Sequence, residues 1–380
     1  MLHTLREHLQ VLYGAGLALL IVVLLTPAVG GMARILGVVD APGGRRLNRD
    51  PVPRLGGLAL FFGIFVPALA FLHLGHETRG LLLGAAVATT VGAIDDFRGT
   101  RWWEKLGGQL AAAAIPVGFG IWVHRFTFPL VGAHLLPKWV GMPLSVLWIV
   151  AIMNMVNFLD GLDGLAAGVS AISALTFCVI ALSLVHPPSV IQAAILSAIV
   201  LGACLGFLRH NFYPARIFMG DSGAMLLGFV LATIPLQGLL KTASIVTLVL
   251  PLLVLAVPII DTSFVVARRL KYRQPIYLAD RHHLHHRFVD RGFSQRRTAV
   301  YIWTWCATLA VAALAERFLR PHAHGDWRPW RTAVTAALGL VAVGASAYMA
   351  YLLDIVKPAN GRARRREAEL RREQQAAKSA

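Results

Sequence analysis

The chain has 380 residues, of which 57% are hydrophobic and 14% charged, and lysine plus arginine (36) outnumber aspartate plus glutamate (19) for a formal net charge of +17. So many apolar residues exclude a disordered basic protein, and so few charges exclude an ordinary soluble domain, in which about 25% of residues are charged. The composition therefore predicts a polytopic membrane protein whose charges are concentrated in its loops.

Apolar stretches of near-membrane length recur along the whole chain. A helix needs about 20 residues to cross roughly 30 Å of hydrocarbon. Because these stretches are continuously apolar and do not alternate, they predict helices and not a β-barrel. The predicted fold is an all-α polytopic membrane protein with about eleven transmembrane helices, near 10–28, 56–74, 81–94, 106–123, 141–157, 164–185, 189–207, 223–238, 243–266, 298–315 and 332–353.

The basic residues predict the orientation of these spans. With eleven crossings, one set of loops together with the C-terminal tail carries 27 of the Lys and Arg residues, and the opposite set carries 9. The more basic side stays in the cytoplasm, so the N-terminus is predicted outside and the C-terminus cytoplasmic. Residues 1–355 are predicted to form a single integral membrane domain, and residues 356–380 a basic tail that rests on anionic lipid headgroups.

An acidic pair, Asp95-Asp96, lies at the cytoplasmic end of the third predicted span. Carboxylates in or near a bilayer are costly and mark functional sites by default. Two adjacent carboxylates repel each other, and a metal ion or a basic side chain relieves that repulsion. Lys105, at the start of the next span, is a candidate for the basic side chain. The alternative interpretation is an ordinary acidic helix end that faces water.

Oxygen-bearing side chains repeat every three residues after the fifth predicted span, at Asn154, Asn157, Asp160 and Asp163. Such a row offers ligands to a hard cation and to a phosphate. Further along, Asp221 stands in a Gly-Asp-Ser-Gly turn that opens the eighth span. It acts either as a simple N-cap or within a helix N-terminus that binds an anion.

The longest predicted cytoplasmic loop carries four histidines in five residues, followed directly by Arg287. This His/Arg cluster favours binding of a charged, phosphorylated substrate. A zinc site and a basic loop resting on lipid headgroups are the alternatives. All of these polar clusters fall on the predicted cytoplasmic side, a placement suited to joining a soluble phosphorylated donor to a lipid acceptor.

At these residues the chain resembles the polyprenyl-phosphate N-acetylhexosamine-1-phosphate transferase family, and within it the N-acetylglucosamine-1-phosphate branch. The motifs stand in family order at Asp40-Ala41-Pro42, Pro53–Gly57, Asp95-Asp96 with Lys105 and Gln109, Asn154–Gly164, Phe218–Gly223 and Asp280–Arg287. The resemblance implies an eleven-helix catalytic domain with its active site at the cytoplasmic face. Asn48 stands where relatives often carry histidine, so a titrating group is missing at that position.

The resemblance implies transfer of an N-acetylhexosamine-1-phosphate, with N-acetylglucosamine-1-phosphate preferred, from a UDP-sugar to undecaprenyl phosphate with release of UMP. It places the protein in the bacterial cytoplasmic (inner) membrane among lipids. The product primes a cell-surface polysaccharide of the O-antigen, common-antigen or teichoic-acid type.

Mg²⁺ is the expected cofactor, with Mn²⁺ as a substitute. No nucleic-acid partner is expected, and a homodimer is left open. The alternatives are a muramoyl-pentapeptide-phosphate transferase and a polytopic secondary transporter.

Under this resemblance the candidate residues take distinct roles. Asp221 and Asp163 are expected to ligate Mg²⁺, and Asp160 or Asp163 to position the metal–diphosphate unit. Asp95 and Asp96 orient the lipid phosphate or take its last proton. The expected substrate-binding residues are Asn154 and Asn157 for the nucleotide or the metal's waters, and Lys105, His283, His285, His286 and Arg287 for phosphate charge.

Overall fold

The computed structural model describes residues 8–40, 51–128, 132–184, 188–239, 251–271, 284–319, 322–323 and 326–352. Helices dominate this part of the chain, as predicted. In chain order they are α1 (Gln10–Ile35), α2 (Gly56–Phe71), α3 (His76–Arg98), α4 (Trp102–Gly118), α5 (Lys138–Leu159), α6 (Leu165–Leu182), α7 (Pro188–Asn211), α8 (Gly220–Ile234) with a π-helical turn at Pro235–Leu239, α9 (Ala256–Lys271), α10 (Leu284–Asp290), α11 (Gln295–Phe318) and α12 (Pro329–Leu352).

Three short antiparallel strand pairs join some of these helices, and the composition did not predict them. They are β1 (Val39–Asp40) with β2 (Val52–Pro53), β3 (Arg125–Phe128) with β4 (Gly132–Leu135), and β5 (His322–Ala323) with β6 (Asp326–Trp327). In the first pair Asp40 lies opposite Val52. This pairing brings Asp40 close to the residues that precede α2.

Seven helices in the described ranges are long and apolar enough to cross a membrane, judged by length and composition: α1, α3, α5, α6, α7, α11 and α12. Two shorter apolar helices lie at Gly56–Phe71 and Ala256–Ala267. The protein is therefore a mostly helical membrane protein. The predicted span at 243–266 falls partly outside the described residues, and the count of eleven and the orientation stay predictions.

Helix α8 lies at the centre of the bundle. Every residue in it except Asp221 is buried, and it packs against α2, α3 and α5. At the periphery, α12 exposes apolar side chains such as Leu340 (72% exposed) and Val343 (67%). A helix face of this kind is costly in water and suits lipid. The central packing brings the polar ends of α3, α4, α5 and α8 together at one end of the bundle.

Candidate active site

The segment before α2 is bound to the segment before α8 by main-chain hydrogen bonds. Residues 53–57 and 218–219 exchange three N–H···O contacts of 2.8–2.9 Å. Gly220 follows with φ of +68°, and a side chain at this position would collide with the carboxylate of Asp96. Only glycine adopts such a backbone conformation readily. The first turn of α8, which carries Asp221, is thus fixed against the end of α3.

Asp96 lies beneath this turn, with both carboxylate oxygens engaged. Its Oδ1 accepts the N–H of Asp221 (2.8 Å), and its Oδ2 accepts the N–H (3.0 Å) and the hydroxyl (2.8 Å) of Ser222. Its side chain is 0% exposed. A carboxylate in this position accepts hydrogen bonds from the free amides of a helix N-terminus. Its negative charge also interacts favourably with the positive end of the helix dipole. The catalytic role of Asp96 stays a prediction, and in the structure its carboxylate lies under the first turn of α8.

Lys105 connects two of the predicted aspartates. Its Nζ lies 2.9 Å from Asp95 Oδ2 and 2.7 Å from Asp221 Oδ1. The other oxygen of Asp95 accepts the N–H and the hydroxyl of Thr100, both at 2.6 Å. The side chains of all three charged residues are 10–19% exposed. Lys105 therefore supplies a cation to Asp95 and Asp221.

Arg54 is a second cation of this cluster, and the sequence analysis assigned it no role. One guanidinium nitrogen lies 3.7 Å from Asp96 Oδ1, and the other lies 3.8 Å from Asp40 Oδ1. The side chain is 35% exposed, so one face of it is open. The available signal was its place in the Pro-Arg-Leu-Gly-Gly motif, whose glycines let this segment approach the start of α8.

The two aspartates that follow α5 have different surroundings. Asp160 is half-buried, and burial together with the negative charges of Asp221 and Asp96 raises its pKa well above the usual aspartate range. Asp163 is 5% exposed, and its Oδ2 accepts the N–H of Ala215 (2.8 Å). Asp160 is thus close enough to the other carboxylates to be repelled by their charge. Asp163 instead binds the segment that connects α7 to α8.

Asn154 forms a reciprocal amide pair with Gln109. Its Nδ2 donates to Gln109 Oε1 (2.8 Å), and Gln109 Nε2 donates back to Asn154 Oδ1 (3.2 Å). Gln109 is 1% exposed. The pair joins α4 to α5 one helical turn below Lys105. Asn157, three residues further along α5, is half-buried.

The predicted histidine cluster is described only in part. His283 lies outside the described residues, as do the side chains of His285 and His286, so their phosphate-binding role stays a prediction. Helix α10 includes both of the latter positions. Arg287 on the same helix places its guanidinium 4.4 Å from the centre of the Phe264 ring.

The donor set suits a hard divalent cation. In the part of the chain that the structure describes, no three Asp, Glu, His or Cys side chains converge as a ready metal-binding group. Among the described residues at this end of the bundle, however, four aspartates (Asp95, Asp96, Asp160 and Asp221) have Lys105 and Arg54 as their neighbouring cations. If all four are ionised, two negative charges are left over, and carboxylate oxygens are the ligands that Mg²⁺ prefers. The residues therefore fit the expected cofactor.

An apolar groove of about 620 Å³ begins beside the charged cluster, between α4 and α5. Leu106 in its wall follows Lys105 directly, and Val150 lies one turn from Asn154. The groove therefore begins at the residue that follows Lys105 along α4. Its lining includes Leu106, Leu110, Val117, Met142, Val146 and Val150.

Comparisons with known proteins agree with this arrangement. The sequence profile described as glycosyl transferase family 4 matches residues 78–239, which include the described aspartates of the site except Asp40. A probable undecaprenyl-phosphate N-acetylglucosaminyl 1-phosphate transferase of Bacillus subtilis is 37% identical over 78% of this chain and 82% of its own length. A decaprenyl-phosphate N-acetylglucosaminephosphotransferase of Mycobacterium leprae is 35% identical, over 79% and 82%. A phospho-N-acetylmuramoyl-pentapeptide-transferase of Desulforudis audaxviator is 33% identical, over 81% and 98%.

Proposed function

The chain belongs to glycosyl transferase family 4, and from this premise we propose that it transfers N-acetylglucosamine-1-phosphate from UDP-N-acetylglucosamine to undecaprenyl phosphate. UMP is released, and a lipid-diphosphate sugar is formed. The relatives named for N-acetylglucosamine transfer reach 37% identity, against 33% for the pentapeptide transferase. The product is the primer on which a cell-surface polysaccharide is extended.

The observation that carries the proposal is the position of Lys105. Its ammonium group binds Asp95 and Asp221, and the next residue on the same helix, Leu106, lines the apolar groove. An isoprenoid chain is entirely apolar, and its phosphate is the only polar end that it offers. With the chain in the groove, that phosphate lies next to Lys105, where the carboxylates and the ammonium group meet.

The reaction is a phosphoryl transfer. An oxygen of the lipid phosphate attacks the sugar-bearing phosphorus of the UDP-sugar, and a new P–O–P link forms. The bond between that phosphorus and the bridging oxygen breaks, and the bridging oxygen leaves with UMP. Such reactions depend on positioning and charge neutralisation. Lys105 and Arg54 neutralise phosphate charge here.

Asp95 is a positioning group in this scheme. The second pKa of a phosphate monoester is about 6, so at neutral pH the acceptor needs little help from a base. Both oxygens of Asp95 already accept hydrogen bonds, from Thr100 and from Lys105. A carboxylate engaged in this way holds the ammonium of Lys105 in place. We assign to Asp96 the matching task of holding Asp221.

Mg²⁺ is part of the proposal. Asp221 and Asp160 would hold it, and Asp163 supports the loop beside them. When bound, the ion supplies positive charge to the diphosphate of the donor. The excess of carboxylates over cations among the described residues supports this assignment.

The remaining features of the proposal concern the membrane. We propose eleven transmembrane helices, an external N-terminus and a cytoplasmic C-terminus in the bacterial inner membrane, with the active site facing the cytoplasm. The split of basic residues, 27 against 9, supports this orientation. A homodimer stays a prediction.

The test is UMP release by purified protein in detergent with undecaprenyl phosphate, Mg²⁺ and a panel of UDP-sugars. UDP-N-acetylglucosamine should give UMP in proportion to lipid product, and EDTA should abolish the release until Mg²⁺ is restored. Release only with UDP-N-acetylmuramoyl-pentapeptide would move the chain to the pentapeptide branch. No UMP from any donor would contradict the proposal and favour a transporter.

A further inference from the structure

Helix α9 contains a buried carboxylate that the reaction above does not use. Asp261 is 1% exposed. Its Oδ1 accepts the backbone N–H of Leu284 at 2.8 Å, and Leu284 is the first residue of α10. The first N–H groups of a helix have no partner inside that helix. Asp261, which lies on α9 and 23 positions before Leu284, thus fixes the start of α10.

A second contact joins the same two helices in register with the first. Phe264 comes three residues after Asp261, and Arg287 comes three residues after Leu284. The guanidinium of Arg287 lies over the Phe264 ring at 4.4 Å. Residues three apart lie on one face of a helix, so one face of α9 meets one face of α10 at two successive points.

Aromatic packing through Phe288 also anchors α10. Phe288 is 0% exposed. Its ring lies 5.5 Å from that of Phe293 and 6.2 Å from that of Tyr301 on α11. These apolar contacts hold α10 against α11, but they are not directional and do not fix its position along its own axis. The charged hydrogen bond from Asp261 fixes the start of the helix and therefore its register along α9.

We propose that Asp261 is a positioning residue that sets the register of α10 along α9, and with it the place of positions 285 and 286 in the chain's proposed UDP-sugar site. This rests on the proposed function and on the expectation, implied by the family resemblance, that the histidine cluster binds phosphate charge. The role requires an oxygen that accepts a hydrogen bond, and it requires no proton transfer. Asparagine retains such an oxygen, whereas alanine has none.

The kinetic test compares Asp261→Ala with Asp261→Asn. Asp261→Ala should raise KM for UDP-N-acetylglucosamine about tenfold or more, the scale of one lost charged hydrogen bond. It should leave KM for undecaprenyl phosphate unchanged, because the apolar groove lies between α4 and α5. Asp261→Asn should stay within about threefold of the parent. Thr262→Val is the matched control, since this buried hydroxyl has no hydrogen-bond partner in the part of the chain that the structure describes.

A double substitution tests whether Asp261 acts through α10. His285→Ala in the Asp261→Ala background should cost less than it does in the parent, because groups that act together are not additive. Independent, multiplicative losses would overturn the proposal. So would an equal rise in both KM values, which would indicate a general loss of structure.

Hydrogen exchange separates this inference from the proposed function. The amides of residues 284–290 should exchange at least about tenfold faster in Asp261→Ala than in the parent, while those of α8 should not change. Unchanged exchange would overturn the positioning role whether or not the protein releases UMP. Faster exchange in a protein that releases no UMP would uphold the anchor and contradict the reaction.

Discussion

Asp96 is the residue for which the sequence pattern and the structure suggest different tasks. The pattern predicts a group that acts on the acceptor phosphate. The structure shows a carboxylate that accepts three hydrogen bonds from Asp221 and Ser222 and has no exposed surface. The informative substitutions are Asp96→Asn and Asp96→Ala, with Ser222→Ala as a graded control.

The expected losses follow from the number of donors that remain without a partner. An unsatisfied buried donor costs about 1–3 kcal/mol. Asp96→Ala leaves three such donors, so it costs roughly 3–9 kcal/mol, a large part of the 5–15 kcal/mol that stabilises a typical domain. Asp96→Asn keeps one acceptor oxygen but turns an NH₂ group toward the remaining donors, so it should lower the free energy of unfolding by about 2–4 kcal/mol. Ser222→Ala removes one partner only, for about 0.5–1.5 kcal/mol.

Thermal unfolding and UMP release, measured on the same preparations, test these values. Asp96→Asn should lower the Tm and reduce turnover about 100-fold, because a shift of about 1 Å in Asp221 is enough for such a loss. Ser222→Ala should lower the Tm slightly and retain most of the turnover. If Asp96→Asn kept the parental Tm and still lost turnover, the supporting role would be wrong and Asp96 would act on the substrate directly.

Three further substitutions test other parts of the site. Lys105→Met should reduce turnover at least about 100-fold, because it removes two charged hydrogen bonds and leaves Asp95 facing Asp221; Lys105→Arg should restore part of the activity, and equal rates in the two variants would contradict a role for the charge. Asp160→Asn should abolish UMP release yet raise the Tm at neutral pH, since burial and the neighbouring carboxylates, which raise the pKa of Asp160, make its ionised form destabilise the fold. The parent should therefore lose stability as the pH rises through the pKa of Asp160, and an unchanged slope of Tm against pH in the variant would refute this. Val146→Trp should raise KM for undecaprenyl phosphate about tenfold by filling the groove, while Leu83→Trp, on an exposed face outside the groove, should not.

Hydropathy predicted the helices better than their ends. The first span was predicted at 10–28, whereas α1 continues to Ile35 through Gly30, Gly31 and Arg34. A hydropathy pattern reports which part of a helix suits lipid, and a helix ends where its backbone hydrogen bonds end. The β3–β4 hairpin was not predicted for a related reason, because its pairing depends on the register of two four-residue strands and not on composition.

The site was predicted at the level of its residues but not of their contacts. The sequence brought Asp95, Lys105 and Asp221 into consideration, because carboxylates near lipid are costly and need a cation. It could not show that Asp96 binds the amides of Asp221 and Ser222, 125 and 126 positions away. That contact depends on glycines packed against the start of α8. Packing between segments that lie far apart in the chain cannot be predicted from a local sequence pattern. Arg54 was missed for the same reason.

The local charge of the site indicates that it needs more positive charge than Lys105 and Arg54 supply. The chain carries a net charge of +17, yet the cluster at the end of the bundle contains more carboxylates than cations. Both proposed substrates are anions, so this cluster would repel them. Lys105 and Arg54 balance only part of that repulsion, and a divalent cation would balance much of the rest. The family resemblance predicts that the His/Arg cluster, which continues into α10, supplies further positive charge. The register that Asp261 gives to α10 is for this reason a property of the active site and not only of the fold.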